Sequence, residues 1–139
     1  MATEVLINDG GAPARIIPYT AGSTISAGDP LQIGTDGEVD ATFTTSGSLL
    51  GVALTAATSG SIANVITGRG VVLNVLTSGG AADAAGEVIP IGATLVPDAR
   101  GFLVSGTAHT AYPAWGVAIA LAAGNDGTAG LLKVQVGPF

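Results

Sequence analysis

Residues 50–57 read LGVALTAA, and residues 115–122 read WGVAIALA. Each stretch runs into a turn-forming segment, TSGS after the first and AGNDG after the second, and then into another apolar run. A stretch that recurs with the same surroundings indicates a repeated structural unit. We therefore predict a fold of two related halves.

The repeat extends upstream, where SAGDPLQIG at 26–34 is similar to AAGEVIPIG at 84–92. This alignment pairs Gly28 with Gly86, and the later one pairs Gly51 with Gly116. It predicts one domain over 19–139, with repeated halves at about 19–77 and 78–139, behind an N-terminal arm at 1–18. A glycine inside a strand marks a corner or the close approach of another backbone, so Gly51 and Gly116 are interpreted as paired structural glycines.

Short runs rich in Val, Ile, Leu and Thr alternate with Gly, Ser, Thr and Asp turns, which is typical of a β-barrel or β-sandwich. The predicted strands are 30–33, 39–44, 49–56, 62–66, 71–76, 88–90, 94–95, 102–104, 114–122 and 131–136. Residues 81–85 could form one helical turn, but glycines bound them on both sides. We predict an all-β fold, a small barrel or sandwich.

Composition points to a subunit of an assembly. The chain has 139 residues, of which 47% are hydrophobic and only 10% are charged, against about 25% charged in a typical soluble domain. No apolar run approaches the ~20 residues that span a bilayer, so no membrane association is predicted. The apolar residues must then be buried in the fold or against partner proteins.

Charge and cysteine content exclude other classes. The net charge of −6 argues against a nucleic-acid partner, which would require a basic surface. The chain has no cysteine, which excludes disulfides and thiolate metal sites. Its first residues, MATE, lack the basic start and apolar core of a signal peptide, so synthesis in the cytoplasm is expected.

Three acidic residues, Asp36, Glu38 and Asp40, alternate along a predicted hairpin. Three carboxylates on one face could hold calcium, but a calcium loop requires oxygen ligands that converge from a turn. Side chains that project in parallel from a strand are better explained as a solvated face. Asp36-Gly37 and Asn125-Asp126-Gly127 are predicted hairpin turns, and no metal site is predicted.

No catalytic or cofactor-binding constellation is found. His109 could in principle act with Ser105 and Asp98, but the chain has no Gly-x-Ser-x-Gly elbow. The GRG at 68–70 lacks the Gly-Lys-Ser/Thr ending of a phosphate-binding loop and is interpreted as a tight turn presenting Arg69. We therefore predict that the protein has no cofactor and is not an enzyme.

The N-terminal arm has two interpretations. Its apolar residues are too few to form a core but sufficient to add a strand to a neighbour, so the first interpretation is that it orders only against a partner. These residues are Val5, Leu6, Ile7, Ile16 and Ile17. In that case a chain beginning at Tyr19 should fold on its own. The alternative is that the arm forms an edge strand of its own domain.

Aromatic residues flank a second candidate contact region. Trp115 and Tyr112 enclose Pro113 and Ala114 at the start of the second repeat stretch. Aromatic residues in such a place act as core plugs or interface anchors, and they could also line a ligand groove. Arg69 and Trp115 join the arm residues as predicted contacts with partner subunits.

An ordered series of motifs resembles a known family. TAG at 20–22 and ISAGDP at 25–30 lead to LGVALTAATSG at 50–60 and then VITGRGVV at 65–72. The pattern returns as AGE at 85–87 and WGVAIA at 115–120. Together these motifs resemble the capsid cement, or head decoration, proteins of tailed bacteriophages, across about residues 19–136.

The resemblance implies a β-rich virion protein that binds the outer surface of an assembled icosahedral capsid and stabilises it against internal DNA pressure. It implies the major capsid protein and further copies of this chain, as a homotrimer, as partners, and it implies no active site. The loop at 97–113 is longer than in the shorter members of that family. Two other functions are kept open: a phage tail, baseplate or spike subunit, and, more remotely, a carbohydrate-binding β-sandwich using Trp115 and Tyr112.

Overall fold

The computed structural model describes Val5 and residues 14–41, 49–68, 71–76, 88–89, 91–92, 94–98, 101–104, 118–120, 124–125 and 131–136. Every regular element within these residues is a β-strand, which confirms the all-β prediction. The described part of the chain contains no helix with the length and apolar character that crossing a bilayer requires.

Twelve strands are described. Those of the first half are β1 Arg15–Thr20, β2 Pro30–Ile33, β3 Val39–Asp40, β4 Gly51–Ala53 and β5 Ile62–Thr67. Those that follow are β6 Val71–Leu76, β7 Val88–Ile89, β8 Thr94–Asp98, β9 Gly101–Val104, β10 Ala118–Ala120, β11 Gly124–Asn125 and β12 Leu131–Val136.

Several strand bounds agree with the sequence prediction and others are shorter or new. β2, β6 and β12 have the predicted bounds, whereas β4 keeps only the residues that find ladder partners. Residues 42–44, predicted to continue β3, lie outside the described residues. Strand formation requires such partners in addition to local propensity. Asn125, predicted in a turn, instead pairs with Val88 through β7 and β11.

Two five-stranded antiparallel sheets make up most of the fold. Their strand orders are β1-β5-β4-β2-β3 and β6-β12-β10-β8-β9. The orders match strand for strand, with β6 in the second sheet at the position of β1 in the first. By strand order, the two units divide between β5 and β6, so β6, which the sequence prediction assigned to the first half, leads the second sheet.

Strand register identifies which residues are equivalent. Leu31 lies opposite Gly51 in the first sheet, and Leu95 lies opposite Ala118 in the second. Both leucines are fully buried. By register, the described counterpart of Gly51 is Ala118. Gly116 lies outside the described residues.

The first sheet curls until its outer strands meet. Ala21, directly after β1, forms a parallel bridge with Val39 of β3, and the Gly22 N–H donates to the Val39 carbonyl oxygen at 2.9 Å. This contact joins the two edges, as expected for a small barrel. Buried residues fill the interior: Ala21, Ile25, Leu31, Val39, Ala41, Ala53, Ala57, Ala63 and Val65, with Tyr19 and Leu50 packed against them.

The outer face of the first sheet is also covered in places. Val52 and Ile66, which pair across β4 and β5, are buried although they lie outside the interior cluster. Residues 71–75 of β6 are all buried. The Leu76 N–H donates to the Gly28 carbonyl oxygen at 3.1 Å, which ties β6 to the turn before β2 and so connects the two halves.

Described parts of the predicted arm are incorporated into the fold. β1 pairs with β5 along its whole length, from Arg15 with Thr67 to Thr20 with Ile62. The strand runs across the predicted boundary between residues 18 and 19, so residues 15–18 follow the edge-strand interpretation. Val5 is buried, and its carbonyl oxygen accepts the Asn74 N–H at 2.7 Å.

Two turns have the local chemistry that the sequence predicts. In the hairpin between β2 and β3, Gly37 takes φ 85° and the Asp36 carboxylate accepts the Glu38 N–H at 3.1 Å. In the turn at 58–61, Gly60 takes φ 84° and the Ser61 N–H donates to the Thr58 carbonyl oxygen at 3.0 Å. Glycine adopts these positive φ angles without a steric penalty.

Candidate interaction surface

The edge strand β1 carries the largest concentration of described exposed apolar residues. Ile16 is 48% exposed and Ile17 is 36% exposed, on opposite faces of the strand. Because Tyr19 packs on the barrel interior and side chains alternate along a strand, Ile17 lies on the interior face and Ile16 on the outer face. Only Ile16 therefore belongs to an outward apolar surface.

That outward surface continues onto β5. The outer-face pairs are Ile16 with Ile66, Pro18 with Asn64 and Thr20 with Ile62. Ile66 is buried, whereas Ile62, at the other end of the same strand, is 59% exposed. We refer to Ile16, Pro18, Thr20 and Ile62 as the β1 face. Contiguous exposed apolar side chains of this kind mark contact sites.

Pro18 shapes how this edge can be used. Its position in an edge strand is one that proline tolerates, and it removes one backbone donor from the ladder. Such a proline hinders the addition of a further strand. Contacts at β1 must therefore rely on side chains and on amides away from Pro18.

The predicted contact residues divide into three groups. Ile16 and Ile17 are exposed, and their role as contact residues stays a prediction. Val5 is buried within its own chain, so it is not available to a partner in this structure, and its prediction as a contact residue does not fit. Leu6, Ile7, Arg69, Trp115 and the loop carrying His109 lie outside the described residues.

Three exposed isoleucines were not predicted as surface residues. Ile91, in the turn before β8, is 71% exposed, and Ile33, at the end of β2, is 51% exposed. Ile62 was included in a strand but not recognised as surface. A period of two from the buried Ala63 and Val65 would have put Ile62 on the outer face, whereas no local signal distinguishes Ile91.

The acidic hairpin residues do not form a metal cluster in the described part of the chain. No group of three or more His, Asp or Glu residues there is close enough to hold a metal ion. The Asp36 carboxylate is instead used to accept the Glu38 N–H within its hairpin. That geometry belongs to a turn, since the acceptor and donor are two residues apart.

Asp29 is a buried carboxylic acid at the base of β2. Burial raises the pKa of Asp29 above its ordinary value of 3.8, and the hydrogen bond from the Ser26 N–H, at 2.7 Å, partly opposes this. Asp29 also holds the turn through its backbone, since its N–H donates to the Ser26 carbonyl oxygen at 3.1 Å. These contacts within the turn are those of a structural residue.

The fold and this surface define a class: an all-β protein of two repeated five-stranded units with an apolar edge on the first unit. A solved structure described as the N base of head fiber gp8.5 in bacteriophage phi29 is similar to this chain. The TM-score is 0.58 at 16% sequence identity, over 90% of this chain and 95% of the phi29 chain. No protein-family model matches the chain, and no curated protein matches it.

Proposed function

We propose that the protein is a structural component of a phage virion that binds the outer surface of the assembled icosahedral capsid and cements it. The similarity of fold to a phage head-fiber base, over nearly the whole of both chains, is the observation that carries this proposal. The order of motifs that resembles capsid decoration proteins supports it independently. Its partners would be the major capsid protein and other copies of itself, as a homotrimer, with no catalysis involved.

Physical properties of the described surface support a cementing role. Few charges and several exposed isoleucines provide apolar area that another protein can remove from water, at about 25 cal/mol per Å². Each contact would contribute modestly. Because a capsid presents the same site many times, the contributions add up over the particle and make rupture at subunit junctions harder.

The test uses purified full-length protein and capsids that lack it. We expect electron microscopy to show regular occupancy of the outer surface, with hundreds of copies per particle. Decorated capsids should survive higher temperature or stronger osmotic shock than bare ones. Saturating occupancy without any gain in resistance would contradict cementing, and absence of binding would contradict the capsid role altogether.

The phi29 similarity also favours a second candidate. Because that structure is described as the base of a head fiber, this chain could serve as the base of an appendage, in line with the spike or tail alternative. An appendage base would be present in few or discrete copies and would leave capsid resistance unchanged. Copy number per purified particle therefore separates the two functions.

A further inference from the structure

We propose that the turn carrying Ile91 and Gly92 in one copy of the chain docks on the β1 face of a second copy. This inference builds on the proposed self-association and names the surfaces that would make it. It follows from a contact already present within the chain, between the turn of the first half and the leading strand of the second.

The internal contact is made by Gly28 and Leu76. Gly28 lies in the turn before β2 with φ 88°, and its carbonyl oxygen accepts the Leu76 N–H at 3.1 Å. Leu76 is the last residue of β6 and pairs with Leu131, the first residue of β12. The turn of one unit thus rests on the end of the leading strand of the next unit.

Each participant has an equivalent that makes no such contact with the described residues. Thr20 is the last residue of β1 and pairs with Ile62, the first residue of β5, as Leu76 pairs with Leu131. Gly92 lies two residues before β8 with φ 85°, as Gly28 lies two residues before β2. If the internal contact were repeated between copies, Gly92 and Ile91 of one would meet Thr20 and Ile62 of the next.

The equivalent strands β6 and β1 differ in burial, and the proposed contact requires this difference. Residues 71–75 of β6 are all buried within the chain, whereas β1 is exposed along most of its length. Ile91 and Ile62 are the two most exposed large apolar residues described. A single contact between copies would therefore cover both of these exposed side chains.

The side chains at the two contacts are complementary in size. In the internal contact the residue before Gly28 is the small Ala27, and the residue that donates to Gly28 is the large Leu76. In the proposed contact the large Ile91 precedes Gly92 and faces the smaller Thr20. The exchange of large and small residues keeps the combined volume similar, which is the condition for close packing at a repeated interface.

Pro18 makes a turn a better binding partner for the edge of β1 than an added strand. The equivalent residue in β6 is Asn74, whose N–H is bound by the Val5 carbonyl oxygen. Proline has no N–H, so the N-terminal segment of another copy cannot repeat that bond on β1. The turn contact centred on Thr20 does not involve Pro18 and remains possible.

Such a contact joins two different surfaces, so it is heterologous. It closes into a ring if the rotation between units divides a full turn, and otherwise forms an open chain. Three copies with two units each would give a ring of six similar units. Cross-links should therefore form between Ile91 and Ile62 positions, and not between two copies of the same position.

Cysteine pairs test this directly, since the chain has no cysteine of its own. We expect Ile91→Cys and Ile62→Cys to give no disulfide dimer separately under mild oxidation but to form one when mixed. Ile33→Cys mixed with Ile91→Cys is the control, because Ile33 has similar exposure but lies off the β1 face. Cross-linking of either single variant with itself, or equal yield with Ile33, would overturn the proposal.

Sedimentation equilibrium gives a second measurement without cysteines. Wild-type protein should associate with increasing concentration, and Ile91→Glu or Ile62→Lys should each return it to a monomer. Mixing these two variants should partly restore association, because the introduced charges attract across the contact. A wild-type chain that stays monomeric up to millimolar concentration would also overturn the proposal, whereas failure to bind capsids would affect only the proposed function.

Discussion

Gly28 and Gly92 occupy the same place in two copies of one structural unit. Their φ angles are 88° and 85°, and each lies two residues before a strand whose second residue, Leu31 or Leu95, is fully buried. Matching strand order in the two sheets extends the equivalence to the whole unit. The two halves should therefore respond to equivalent substitutions in equivalent ways.

Leu31→Ala and Leu95→Ala should destabilise the protein by similar amounts. Each removes a fully buried leucine, which costs about 2–5 kcal/mol in a closely packed core. Urea unfolding monitored by circular dichroism measures the change, and Ile33→Ala, at an exposed position, should cost under about 0.5 kcal/mol. If only one of the two leucine variants were destabilised, the halves would not be equivalent.

Gly51→Ala should destabilise the fold because there is no room for a side chain. A Cβ at this position would contact the carbonyl oxygen of Ile66 and lie 2.7 Å from Cγ1 of Val65. Moving the backbone of a paired strand should cost about 1–3 kcal/mol, and Gly51→Val should cost more. The free energy of unfolding measures both.

Gly60 provides the control for Gly51. A Cβ there meets no atom within 4 Å, but φ is 84°, so the only cost is conformational. Asparagine tolerates this conformation better than other residues, and Gly60→Asn should be nearly neutral. Equal stability of Gly51→Ala and Gly60→Asn would show that the close approach at Gly51 has been misread.

Asp29 should make stability fall as the pH rises. Burial raises the pKa of Asp29, so between 3.8 and its folded pKa the folded state binds more protons than the unfolded state. The contribution of Asp29 to the free energy of unfolding is then greatest at low pH, decreases through that window and is constant above it. Asp29→Asn should flatten this dependence, as measured by urea unfolding from below pH 3.8 to neutrality, and an unchanged slope would contradict the assignment.

Truncation should separate the role of the N-terminal segment from that of β1. A chain beginning at Ala14 keeps β1 and loses Val5, which should lower stability by about 1.5–3 kcal/mol. A chain beginning at Tyr19 also loses residues 15–18, which pair with 64–67, and should be much less stable. This replaces the sequence-based expectation that a chain beginning at Tyr19 folds on its own.

Capsid binding by the same variants tests attachment. If Leu6 and Ile7 contact the capsid, the chain beginning at Ala14 should fold but bind bare capsids more weakly than the full chain. Full occupancy by this variant would move the attachment surface onto the body of the domain. Equal stability of the two truncated chains would show that residues 14–18 contribute nothing to the stability of the fold.

Local signals in the sequence were sufficient for the fold class and for several elements. β2, β6 and β12 are bounded by turn residues and consist mainly of β-branched and aliphatic residues, so their bounds could be predicted from the nearby chain. Asp36-Gly37 and the turn at 58–61 follow from the φ that glycine permits and from side-chain acceptors. The existence of a repeat was also readable, since both copies carry the same apolar stretch.

The register of the repeat, the closure of the barrel and the exposure of β1 were decided by tertiary structure. Gly28 resembles Gly86 in sequence, yet strand register makes Gly92, with a similar φ and two residues before β8, its counterpart. Gly86 lies outside the described residues. The pairing of Leu95 with Ala118 decides which glycine is equivalent to Gly28, and these two residues are distant in the chain. Burial of Val5 and exposure of Ile16 likewise depend on which distant strands lie beside them, and no local pattern of small apolar residues contains that information.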